Sequence, residues 1–139
     1  IFGAGAQSFS MVKSRHEAME KARYGLARMV KEIIYVQTAD IDEANTNSFH
    51  FIDGTGHETE YSMGTFSGKS ALMRNNQVLI PNTQSITFAY YDSYNVVTNV
   101  VANIRRIEIT LVVNAEDNKG TVTLRNSIFP RGFIYTGFQ

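Results

Sequence analysis

Residues 8–37 read SFSMVKSRHEAMEKARYGLARMVKEIIYVQ, and the fold turns on how this stretch is interpreted. Phe9, Val12, Met19, Ala22, Leu26, Ala27, Val30, Ile33 and Ile34 recur at steps of three and four. At about 100° per residue they make a broad apolar stripe. Lys13, Glu17, Glu20, Lys21, Arg28, Lys31 and Glu32 fall on the other side. Glu17 precedes Lys21 by four, the favourable order for an exposed pair, worth about 0.3 kcal/mol. No proline interrupts the stretch, and Gly25 is its one weak interior residue. The pattern predicts one long amphipathic helix from Ser8 to about Gln37, filling an N-terminal region 1–37.

Beyond it the hydrophobic period changes from helical to alternating. Residues 38–47 are polar and rich in turn formers, which predicts a connecting loop. Ser48 to Ile52 reads as a strand, Asp53-Gly54-Thr55-Gly56 as a turn, and Glu58 to Phe66 as the returning strand. Tyr61 and Met63 share one face of that strand, and Glu60 and Ser62 the other. Ala71 to Arg74 and Gln77 to Ile80, joined by Asn75-Asn76, make a second hairpin that Pro81 closes. From Ser85 to Asp92 the apolar positions are Ile86, Phe88 and Tyr90. The pattern of Ser93 to Ala102 decides nothing. Ile104, Ile107, Ile109, Leu111 and Val113 form a β-branched run, predicting an inner strand that returns from Thr121 to Phe129 after a turn at Glu116–Gly120. A helix followed by hairpins predicts an α+β class, a long N-terminal helix packed on one antiparallel sheet. The whole of 1–139 is read as a single domain: helix 1–37, loop 38–47 and a β-rich body 48–139.

The chain has 139 residues, 43% of them hydrophobic and 12% aromatic, enough for a sizeable core. Thirteen basic and thirteen acidic residues cancel, so no charge excess points to nucleic acid or an anionic membrane surface. Without cysteine there are no disulfides, thiolate metal sites or thiol nucleophiles. No apolar run approaches the ~20 residues of a membrane span. The opening Ile1-Phe2-Gly3-Ala4-Gly5-Ala6 is apolar and small, and reads as the tail of a preceding segment.

Motifs for chemistry are weak. Gly3-Ala4-Gly5 follows no strand and lacks a third glycine. Asp53-Gly54-Thr55-Gly56 and Ser67-Gly68-Lys69-Ser70 read as turns rather than catalytic or phosphate-binding loops. His16, His50 and His57 lack ligand spacing, and the pair His50 and His57 with Asp53 is the best of a poor set. Asp40, Asp42 and Glu43, or Glu116, Asp117 and Asn118, offer oxygens to calcium but match no loop signature. No nucleophile, base and orienting group share one neighbourhood, so neither an enzyme nor a cofactor is expected.

Arg15 and Arg23 lie at angles inside the apolar stripe, where a lone domain rarely places a guanidinium. One reading is that they snorkel along its edge. The sharper one is that the leading half of the helix faces a neighbouring molecule. A helix of about 30 residues runs ~45 Å, more than a small sheet covers. Phe9, Val12, His16, Met19 and Arg23 are the candidate subunit interface.

The segments Ala22–Ile33, Leu72-Met73-Arg74, Ile86–Asp92 and Arg105–Leu111 together resemble the type IV pilin-like family, above all a minor pilin or minor pseudopilin without its N-terminal membrane half. The family's processing site and the Phe-Thr-Leu-Ile-Glu motif after it are not in this sequence. The resemblance implies cleavage by a prepilin peptidase and N-terminal methylation. It also implies anchorage in the cytoplasmic membrane through an upstream segment, with the domain on the extracytoplasmic side. Such subunits assemble with other pilins or pseudopilins, through their N-terminal helices, into a type IV pilus or the pseudopilus of type II secretion. A role in starting the fibre or capping its tip is implied for a minor subunit. A different class is a soluble ligand- or surface-binding module, for which Tyr90, Tyr91 and Tyr94 would be the contact set.

Overall fold

The computed structural model describes residues 2–53, 55–116 and 119–130, with side chains from residue 12 onward. Helix α1 spans Phe2–Ile33. A 3-10 turn at Thr38–Asp40 leads into β1 (Ile41–Ala44), β2 (Phe49–Ile52), β3 (Glu58–Phe66), β4 (Lys69–Arg74) and β5 (Gln77–Ile80). Then come β6 (Thr83–Tyr91), a 3-10 turn at Val101–Asn103, β7 (Arg106–Asn114) and β8 (Thr121–Ile128).

The first five strands form one antiparallel sheet in chain order, and the last three form another. Tight turns set both meanders. Asn75 and Asn76 both adopt positive φ, 51° and 65°, which suits the twist of a two-residue hairpin between β4 and β5. Ahead of β8, Gly120 has φ 109°, and a Cβ there would press on the Arg15 guanidinium.

This overturns the expected class of a long N-terminal helix packed on one antiparallel sheet. The protein is mostly antiparallel β-structure in two sheets, with one helix as the minority element. Two local features separate expectation from structure. Pro81 has no N–H for a ladder, and Asn82 turns left-handed at φ 51°, so the chain leaves β5 and begins a second sheet instead of a sixth strand. The predicted loop 38–47 also contains a strand. Ile41 is buried, and a bulge after it lets Asp42 and Glu43 both face solvent.

The two sheets meet through aromatic side chains. Phe49 of β2 lies 5.9 Å from Phe88 and 6.1 Å from Tyr90 of β6, ring centre to ring centre. Such pairs add about 0.5–1.5 kcal/mol beyond their area burial. Ile107, Ile109, Leu111 and Val113 of β7, the central strand of its sheet, are buried in the same core. From α1 the core takes Ala18, Ala22, Leu26, Met29 and Ile33. The observed stripe is rotated from the expected one: Ala18 and Met29 point in, while Ala27 and Val12 are exposed. The glycine fixes this rotation, because a Cβ on Gly25 would collide with Ile80 of β5. The helix ends at Ile33, and Val36 N–H bonds Ile33 O at 2.9 Å as the chain tightens.

Candidate functional site

Four of the five predicted interface residues have described side chains, and those four line one feature. Val12, His16, Met19 and Arg23 border an open groove of about 520 Å3, together with Arg15 and with Thr121, Val122 and Thr123 of β8. Phe9 lies outside the described side chains. The i, i+4, i+7, i+11 spacing of the four explains their common face. Val12 is 67% exposed and Met19 half-buried, so the groove has an apolar floor open to solvent. Arg15 Nε donates to the Lys119 carbonyl at 3.2 Å, tying this part of α1 to the start of β8. Among the described residues Arg23 pairs with its helix neighbour Glu20, at 3.4 Å. Neither arginine snorkels over a closed core.

At the other end of the helix lies a polar cluster. Glu32 accepts two hydrogen bonds from Arg74 Nε, at 2.9 and 3.1 Å, and one from its Nη2 at 2.6 Å. The Tyr61 hydroxyl donates to the same carboxylate, and Arg28 stands 3.9 Å from it. Burial works to raise the Glu32 pKa, but the Arg74 and Tyr61 hydrogen bonds and the two guanidinium charges outweigh it. The carboxyl is therefore held below its usual range. Burial first, then the Glu32 carboxylate, push the Tyr61 hydroxyl upward. The cluster clamps the end of α1 to β3 and β4. Tyr61 and Arg74 lie 29 and 42 residues from Glu32, a pairing to which no local pattern points.

The remaining sequence candidates scatter. His50 does not meet His57. Its Nδ1 lies 2.7 Å from Asp42 and its Nε2 3.8 Å from Glu58, on the outer face of β1–β3. In the β2–β3 turn, Asp53 Oδ1 accepts from Thr55 N–H, Thr55 Oγ1 and His57 N–H. The Thr55 hydroxyl and then the His57 amide hold this carboxyl below its usual range. The Thr55 hydroxyl donates to this carboxylate at 2.6 Å and also lies 2.7 Å from His57 Nδ1, so the three side chains close the turn on one another. Among the described residues no group of three His, Cys, Asp or Glu could hold a metal. Asp117 and Asn118 lie outside them. Gly3-Ala4-Gly5 falls within α1 and forms no loop.

The tyrosine set of the ligand-binding reading is also divided. Tyr90 is buried with its hydroxyl donating to Asn45 O at 2.7 Å. Burial raises its pKa. The Arg106 guanidinium covers Tyr91 at 3.8 Å from the ring centre. Tyr94 alone stands free of the core, 86% exposed. Three tyrosines therefore do not make one platform.

No protein-family model matches the chain, and no curated protein matches it. No described helix is long and apolar enough to cross a membrane.

Proposed function

We propose that this chain is a structural subunit of an extracytoplasmic fibre of the type IV pilus or type II secretion pseudopilus kind, a minor pilin or pseudopilin without a catalytic step of its own. The observation that carries this reading is the position of α1 relative to the core. Among the described side chains of α1, none from Val12 to Glu17 is buried, about a turn and a half or ~9 Å of helix, and the first buried one is Ala18. The exposed Val12 stands on that leading part, and the half-buried Met19 stands just past Ala18. A helix stabilised by tertiary packing has no reason to continue this far unless a second surface covers it. Neighbouring subunits in a fibre supply such a surface. Membrane anchorage would come from a segment upstream of Ile1, with the domain on the extracytoplasmic side.

The test pairs two measurements on the same substitutions: melting of the 139-residue chain and fibre assembly by the full-length protein. Met29→Ala and Ile33→Ala, both fully buried, should cost about 2–4 kcal/mol in the chain. Val12→Ala should change stability by less than about 0.5 kcal/mol, yet impair assembly. If Val12→Ala leaves assembly intact, or the full-length protein enters no fibre at all, the reading fails.

A further inference from the structure

The net charge of zero conceals a separation of charge along the chain. Between residues 33 and 68 there are six acids, Asp40, Asp42, Glu43, Asp53, Glu58 and Glu60, and no lysine or arginine. Three of them gather on the outer face of β1–β3. Asp42 and Glu58 flank His50, and Glu60 lies opposite His50 in the β2–β3 register. Asp42 and Glu58 are more than half exposed. The groove between α1 and β8 is the counterpart. Arg15, His16 and Arg23 rim it, Val12, Met19 and Val122 floor it, and none of the described residues lining it is acidic. Arg125 continues the exposed row of Thr121 and Thr123 along β8. On the rim, Arg23 is paired with Glu20 of its own helix at 3.4 Å.

We infer that the α1–β8 groove binds the acidic β1–β3 face of a second copy of this chain. The contact rests on the fibre-subunit reading and names the partner within it. The two complementary surfaces belong to different strands of different sheets, so the contact is heterologous and repeats from copy to copy beyond a dimer, as a ring or an open row. Complementary potentials of this kind fix partner and register more than they add affinity. A repeating row also departs from the single tip position implied for a minor subunit.

The experiment is sedimentation velocity on the 139-residue chain over a concentration series, at about 50 and 500 mM NaCl, where the Debye length falls from roughly 14 to 4 Å. Species beyond a dimer should grow with concentration at low salt, and high salt should weaken association at least about tenfold. Arg23→Glu alone, or Glu58→Lys with Glu60→Lys, should each abolish self-association without lowering the melting temperature, because these side chains are exposed. Mixing the two variant chains should restore association, because the intact groove of one meets the intact face of the other. Species beyond a one-to-one complex should form as the reversed groove also meets the reversed face. A chain that stays monomeric, stops at a dimer, associates regardless of either reversal, or shows no rescue on mixing overturns the inference. Full-length protein separates this from the function itself. Fibre assembly that survives Arg23→Glu removes this contact and leaves the subunit reading standing, whereas a wild-type protein absent from fibres removes the reading.

Discussion

Replacing Glu32 with alanine should loosen the trailing end of α1 from β3 and β4. The carboxylate accepts from Arg74 and Tyr61, and both donors would lose their acceptor. Glu32 and Arg74 side chains are 22% and 23% exposed, so water can compensate only in part. Hydrogen bonds to charged groups contribute about 1.5–3 kcal/mol, and the stranded Tyr61 hydroxyl places the loss toward the upper end, about 2–3 kcal/mol. At ~3–4 °C per kcal/mol for a domain of this size, Tm should fall by about 6–12 °C. The pH dependence has a definite sign. The folded pKa of Glu32 lies below its ordinary value of 4.5, so its contribution is present above that value. It is lost as pH falls through the lower, folded pKa. Glu32→Gln should therefore flatten the wild-type loss of stability below about pH 4.5. Urea unfolding at pH 7 and at a series of acid pH values reads both effects, and a Glu32→Ala/Arg74→Ala cycle isolates the pair. A loss under about 0.5 kcal/mol with an unchanged acid limb would refute the clamp.

Gly25→Ala raises helix propensity, which in an exposed helix would stabilise by about 1 kcal/mol. Here the new methyl meets Ile80, so chemical denaturation should show a net loss instead, partly recovered by Ile80→Val. In native-state amide exchange, Ile107 to Leu111 of the central strand β7 should be among the slowest sites, with Tyr94 to Val100 among the fastest; equal rates would count against the two-sheet core.

Strand content was legible where side chains alternate. Phe49 and Phe51, Ile86, Phe88 and Tyr90, and Ile107 to Val113 are buried on the faces their period assigns. The turns at Asn75-Asn76 and before Gly120 were legible from their chemistry, and both have positive φ. Sheet membership was not legible, because hairpin signals report neighbours and say nothing of when a meander stops. Pro81, with no N–H for a ladder, and the left-handed Asn82 mark that point. β1 was hidden since only Ile41 of its four residues is fully buried, with Ala44 partly so, and its bulge breaks the alternation. On the helix, a stripe drawn from spacing admitted Ala27 and missed Ala18 and Met29. The true rotation is set by Gly25 meeting Ile80, a contact across 55 positions. The groove residues Val12, His16, Met19 and Arg23 were found by spacing, whereas the β8 wall opposite them required the fold.

The ties between α1 and the rest of the chain are spread along its length: Arg15 at the entry to β8, Gly25 against β5, Glu32 on β3 and β4. Tension applied along the helix axis would load these attachments side by side, in shear, instead of peeling them one after another. Rupture in shear requires several to yield together, so a pull from the N-terminal end would reach both sheets before any single tie gave way. A chain wired in this manner transmits traction as one body, and its weakest direction lies across the helix, where the ties open in sequence.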